Sequence, residues 1–216
     1  TMYEMFSRLS MPFSEQKKLF DYAKDRGIEV FSTPFDFKSV DFLESLGVNL
    51  YKIASMDLVN LPLIDYVAKT QKPIILSTGM SNLGLIEDSL NVIAKTGNSN
   101  VALLHCNSTY PAAAEDMNIE AINTLKKCFN LPVGLSDHTF GLLVSTVALS
   151  IGSNIISVWT VDEFGLDGDV DLVISGSTGR QFGTAVAVGD LNGDDIADIA
   201  VSASKDTVSD IPGVGG

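Results

Sequence analysis

PIILSTGMSNLGLIEDSLNVIAKTGNSNVALLHC, residues 73–106, decides the fold. It opens with three consecutive apolar residues after a proline, IIL at 74–76, and closes with another apolar run, VALL at 101–104. Strands that are apolar on successive residues, without alternation, are buried on both faces, as in a parallel sheet. Between them Leu85, Ile86, Leu90, Ile93 and Ala94 recur at helical spacing, and Gly97 ends the stripe. Strand, helix, strand in about 30 residues is a right-handed βαβ unit.

Working outward, the same alternation runs from residue 28 to 158. The spacing predicts strands at 28–33, 50–55, 73–78, 101–106, 132–136 and 154–158. Ser14 is placed to cap a helix running to Arg26, with Leu19, Phe20 and Ala23 on one face. Ile119, Ile122, Leu125 and Phe129 form a further stripe. Val144, Val147, Ala148 and Ile151 form another, ending at Gly152. Six strands are fewer than the eight of a closed (β/α) barrel. Periodicity alone leaves a doubly wound open sheet as the alternative, although no Gly-x-Gly-x-x-Gly follows a strand. The fold class expected is α/β, a partial TIM-type barrel with about six of eight strands, followed by a short all-β tail rich in Asp and Gly.

The tail is marked by composition. Of 27 acidic residues, 11 lie in the last 61 residues, against 2 of the 14 basic ones; 10 of 18 glycines lie there too. A shift of this kind places a domain boundary near Ile156, giving segments 1–156 and 157–216. Within the second, DLVIS, TAVAV and ADIAVSA read as short strands between turns. Net charge of −13 argues against nucleic acid as a partner. No apolar run approaches the roughly 18 residues of a membrane span, and TMYEMFSRLS has no signal-peptide pattern. Cys106 and Cys128 make no disulfide framework, consistent with a reducing, cytoplasmic compartment.

Reacting groups of such a barrel sit at the C-terminal ends of strands. Those positions hold Ser32, Thr33 and Asp36; Lys52 and Ser55; Ser77 and Thr78; His105, Asn107 and Ser108; and Ser136, Asp137 and His138. Lys52 stands inside an apolar strand, where burial is costly unless an anion pairs with it. Hydroxyls converging with one lysine make a phosphate cradle. Equally, Ser and Thr end strands simply to satisfy backbone groups.

FSTPFD at 31–36, YKIAS at 51–55, ILSTGMS at 75–81, LLHCNSTYPA at 103–112 with ED at 115–116, and VGLSDHT at 133–139 together resemble the sialic acid (N-acetylneuraminate) synthase family, in order and spacing, over about residues 3–156. The resemblance implies a transferase of carbohydrate biosynthesis that condenses phosphoenolpyruvate with an N-acetylmannosamine-type, N-acylated aminosugar and releases phosphate. It implies that Thr33, Lys52, Ser55, Ser77 and Ser136 hold phosphoenolpyruvate, and that Ser108 and Tyr110 face the sugar. It assigns no catalytic residue here. His138 would be one of two histidine ligands of a divalent metal, manganese or magnesium. The second ligand belongs to a Glu-Lys/Arg-His motif, where this chain has Ser157, Val158 and Trp159. His105 reads as structural or as a support to the site. Relative to the family, the chain starts after the first two strands and lacks the C-terminal antifreeze-like domain. An inactive fragment that self-associates through open sheet edges, or pairs as a homodimer, is therefore expected.

Residues 182–203, FGTAVAVGDLNGDDIADIAVSA, resemble an FG-GAP repeat of the integrin-type propeller, usually extracellular. Asp190, Asn192, Asp194, Asp198 and the carbonyl of Ile196 would supply oxygens to calcium. Glu163, Asp167, Asp169 and Asp171 look like a degraded copy of that loop. Three classes of function stay open: a synthase-like enzyme, a calcium-binding repeat module of an extracellular protein, and a hybrid reading frame without function of its own.

Overall fold

The computed structural model describes residues 11–27, 29–161, 167–175, 182–189 and 198–203, with the backbone alone from residue 158 onward. Five strands form the α/β sheet: β1 (Tyr51–Ile53), β2 (Ile74–Ser77), β3 (Val101–Cys106), β4 (Val133–Asp137) and β5 (Ile155–Val161). They are hydrogen-bonded in that order, and β6 (Asp167–Ser175) follows β5. The ladders of β3 with β4 and β4 with β5 are parallel, whereas β6 runs antiparallel to β5. Among the described residues a sixth parallel strand is not formed: residues 29–33 of the expected strand carry no ladder. The apolar run there is local, and a strand exists only where a neighbour takes its backbone groups.

The chain divides into two compact units, residues 1–75 with 84–100 and residues 76–83 with 101–216, so that β2 contributes to both. In the first unit, α1 (Phe13–Asp25) starts one residue before the expected cap. Ser14 lies inside the helix, and the carbonyl of Pro12 accepts from the amides of Glu15 and Gln16. The Phe13 ring stacks on Phe42 at 4.2 Å, fixing the first turn by a contact that helix-end chemistry does not encode. Phe20 is the buried residue of this helix, and Leu19 turns to solvent. α2 (Phe37–Leu46) has a complete set of end signals: the Asp36 carboxylate accepts from the Ser39 amide at 2.8 Å, and Gly47 closes it in the left-handed conformation. Buried Val40 and Leu43 anchor that helix. α3 (Leu61–Ala68) and α4 (Leu83–Lys95) complete the unit. Buried Ser89 of α4 donates to the carbonyl of Leu58. Tyr51, fully buried, donates to Glu44, which also pairs with Lys72 at 2.5 Å.

In the second unit, α5 (Ala121–Phe129) buries Ile122 and Leu125, and α6 (Leu143–Ser150) buries Val144, Ala148 and Leu149. Ile122, Leu125, Val144 and Ala148 are stripe residues read from spacing; Ile119, Phe129 and Ile151 of those stripes are half-buried, Val147 is exposed, and buried Leu149 was not among them. Beyond β5, the described residues of the tail are strands: β6, then β7 (Phe182–Gly189) paired antiparallel with β8 (Asp198–Ala203). Asp167, Asp169 and Asp171 fall within β6, not in a loop. Acidic residues at every second position have the period of a strand as much as that of a ligand loop.

Candidate functional site

β4 delivers the best-defined cluster. Ser136 and His138 are two residues apart at a strand end, so both side chains leave the same face. Both are buried, at 3% and 7% exposure. The Ser136 hydroxyl lies 3.2 Å from Nε2 of His138, and Nδ1 lies 2.6 Å from the backbone carbonyl of Asn107. A carbonyl can only accept, so Nδ1 carries the proton. In the neutral ring Nε2 then holds the lone pair, and the Ser136 hydroxyl donates to it. Tyr110 stacks on the imidazole at 4.2 Å while remaining 58% exposed, so the tyrosine face is the side open to a ligand.

The loop after β3 is shaped to reach this ring. Asn107 Oδ1 accepts from the Thr109 amide at 2.9 Å, an Asx turn that aims the chain at Tyr110. Ala112 then donates its amide to the carbonyl of His138 at 2.8 Å and bridges to Thr139. Ser108 lies within this turn, half-buried. His105, two residues before Asn107, hydrogen-bonds through Nε2 to the carbonyl of buried Met117 at 2.5 Å, away from the cluster. Its partner makes it a structural side chain.

At the end of β2, Ser77 is buried, and Thr78 donates both its amide and its hydroxyl to the carbonyl of Leu104. In the other unit, Lys52 is half-buried between the fully buried Tyr51 and Ile53 of β1. Ser55 opens the 3-10 turn Ser55–Asp57 directly after that strand, and Thr33 is half-buried in the stretch before α2. Thus Ser136, His138 and Tyr110 are brought together within one unit, with Ser77 and Ser108 on neighbouring segments of it. Thr33, Lys52 and Ser55 belong to the other.

Sequence reading missed two contributors and the placement of a third residue. The carbonyl of Asn107 and the amide of Ala112 act through the backbone, which residue type does not advertise. Ser157 sits opposite Ser136 in the β4–β5 register and is fully buried, a placement only strand pairing decides.

A divalent metal is the group the donor chemistry has to be tested against. A carbonyl on the far nitrogen is how a ligand histidine is held, and His138 meets that condition. The rest does not fit. Among the described residues no three His, Cys, Asp or Glu side chains come together as a metal cluster. Asp137, the adjacent carboxylate, accepts from Thr139 and Ser145 instead. Trp159 falls where the β5–β6 register shifts between Val158 and Thr160. The calcium loop proper, with Asp190, Asn192, Asp194 and Ile196, lies outside the described residues; Asp198 begins β8, paired with Gly189.

Comparison with known proteins agrees with this architecture. N,N'-diacetyllegionaminic acid synthase of Campylobacter jejuni is 44% identical over 155 residues, covering 71% of this chain and 46% of that protein. Pseudaminic acid synthase of Helicobacter pylori is 37% identical over 155 residues, covering 72% and 46%. The crystal structure of an N-acetylneuraminic acid synthetase from Leptospira borgpetersenii in complex with citrate superposes with a TM-score of 0.69 at 34% identity. That alignment covers 75% of this chain and 57% of that one. The chain spans about half the length of the curated relatives it matches. An FG-GAP repeat is matched at residues 182–211. The NeuB family is matched at residues 1–169, a stretch that takes in β1–β5 and runs into β6; the chain belongs to the NeuB family.

Proposed function

We propose that this chain carries substrate-binding strand ends of a synthase that condenses phosphoenolpyruvate with an N-acylated aminosugar and releases phosphate. The observation that carries the reading is the buried Ser136–His138 pair under the half-exposed Tyr110. In this reading Ser77 and Ser136 hold the phosphate and carboxylate of phosphoenolpyruvate together with Thr33, Lys52 and Ser55. Tyr110 and Ser108 face the sugar. Buried hydroxyls suit this task because each donates to an anion without adding a charge that must itself be desolvated; Ser136 would turn its one proton from Nε2 of His138 to the anion. His138 would be a single imidazole ligand to manganese or magnesium. The described residues supply no cluster to complete the shell.

Several further assignments belong to the same reading. Residues 1–156 form the synthase part and 157–216 a separate FG-GAP-like segment. The synthase part works in the cytoplasm; among the described residues no helix is long and apolar enough to cross a membrane. Self-association proceeds through the edge of β1, the first strand in the sheet order. A second reading is supported by the FG-GAP match: calcium binds at Asp190, Asn192, Asp194, Ile196 and Asp198. Titration calorimetry showing no heat with calcium at millimolar concentration would remove it.

The deciding assay is phosphate release from phosphoenolpyruvate, with N-acetylmannosamine or a diacetylated aminosugar and manganese present. Release that depends on the sugar and is lost in Lys52→Ala supports the synthase reading. No release from folded wild-type protein refutes it for this chain.

A further inference from the structure

We propose that Asp137 is a positioning residue whose carboxylate fixes the peptide unit between His138 and Thr139, and through it the tautomer and orientation of the His138 ring. Asp137 is 1% exposed. Alternation along β4 puts it on the face opposite Ser136 and His138. Its Oδ1 accepts from the amide of Thr139 at 2.9 Å and from the Thr139 hydroxyl at 2.8 Å; its Oδ2 accepts from the hydroxyl of Ser145, on α6, at 2.6 Å.

The Thr139 amide and the His138 carbonyl are two ends of one planar peptide unit. Asp137 holds the first end, and the Ala112 amide holds the second at 2.8 Å. With both ends fixed, the backbone at His138 is held, and the ring is directed between the carbonyl of Asn107 and the hydroxyl of Ser136. Three accepted hydrogen bonds offset the burial of the charge. The tie to Ser145 also joins this turn to α6, so the orientation of the ring is referred to a helix and not to a loop alone.

If the peptide unit rotates, Nδ1 loses its alignment with the Asn107 carbonyl. The imidazole then exchanges between tautomers and presents an N–H where the lone pair now stands. The consequence for turnover rests on the proposed synthase reading; the consequence for the tautomer does not.

The test uses the full chain labelled with 15N-histidine, which contains only two histidines. In the wild type, the neutral His138 ring should give one protonated Nδ1 and one unprotonated Nε2 signal. Asp137→Asn keeps an acceptor for Thr139 and should preserve that pattern, with phosphate release within a factor of a few. Asp137→Ala should average the two nitrogen signals and lower turnover about 100-fold, the scale of a misplaced site group. An Asp137→Ala protein that keeps the single tautomer, or that releases phosphate undiminished, overturns the proposal. If that variant does not fold, Ser145→Ala decides, since it removes only the Oδ2 bond. Nitrogen signals moving toward the average then support the proposal, and unchanged signals overturn it. Wild-type protein with the fixed tautomer but no phosphate release refutes the synthase reading and leaves the role of Asp137 standing.

Discussion

Gly134→Ala should be among the most disruptive single-methyl additions in this chain. Gly134 sits in β4, between Leu104 on β3 and Ile155 on β5. A Cβ built there would lie 2.3 Å from the backbone oxygen of Ile155, 2.6 Å from its Cβ and 2.8 Å from Leu104 Cδ2. The Leu104 contact can relax by a rotamer change. The Ile155 oxygen cannot, because it is main chain and also accepts from the Ser153 hydroxyl at 3.0 Å. Relief therefore requires β4 and β5 to separate by about 1 Å, which stretches neighbouring ladder bonds past the range of roughly 2.7–3.2 Å. Overpacking contributes about 1–3 kcal/mol. Two weakened ladder bonds add about 1 kcal/mol each, for a total of about 3–5 kcal/mol. That is a large share of a typical folding stability, and it should lower Tm by roughly 10 °C for a chain of this size. Urea and thermal unfolding followed by circular dichroism would measure it. Gly141→Ala is the control. That glycine has φ +78 but nothing within 4 Å of a built Cβ, so only the left-handed backbone is penalised, by about 1–2 kcal/mol. Equal losses in the two variants, or a loss under about 1 kcal/mol for Gly134→Ala, would refute the strand-separation argument.

Asp36→Ala removes the acceptor that holds the Ser39 amide at 2.8 Å and should cost about 1 kcal/mol, with Asp36→Ser recovering most of it; chemical denaturation of the three proteins checks this. Tyr51 gives a pH prediction. Burial, then the hydrogen bond to Glu44 and its charge, raise the phenol far above its ordinary value. The folded state therefore keeps a proton that the unfolded chain releases near pH 10. The stabilisation is complete below that pH and declines as pH rises through and above it. Tyr51→Phe should flatten that alkaline decline in a stability–pH series; an unchanged slope would show that Tyr51 is not its source.

Short-range pattern carried much of this protein. The runs at 74–77, 101–106 and 133–137 are strands because they are apolar on consecutive residues, and burial on both faces is what such a run requires. Asp36 and Gly47 mark the ends of α2 in plain sequence, although that helix, like α3, was not among those read from spacing. The strand-end positions that hold Ser136 and His138 were legible for the same reason: once the strands are placed, period two fixes which side chains share a face.

Tertiary structure decided the rest, wherever a residue's role depends on a partner far away in sequence. Residues 29–33 have the composition of a strand but no ladder, because pairing is a property of two segments. The start of α1 follows the stack of Phe13 on Phe42, not the hydroxyl of Ser14. Nothing local in SDHT tells which of Asp137 and His138 faces the candidate site and which faces α6. The carbonyl of Asn107, the amide of Ala112 and the hydroxyl of Ser145 settle it. Sequence determines the period of the elements, since that is set by neighbouring residues; the orientation of one imidazole is set by hydrogen-bond partners that only folding brings within 3 Å.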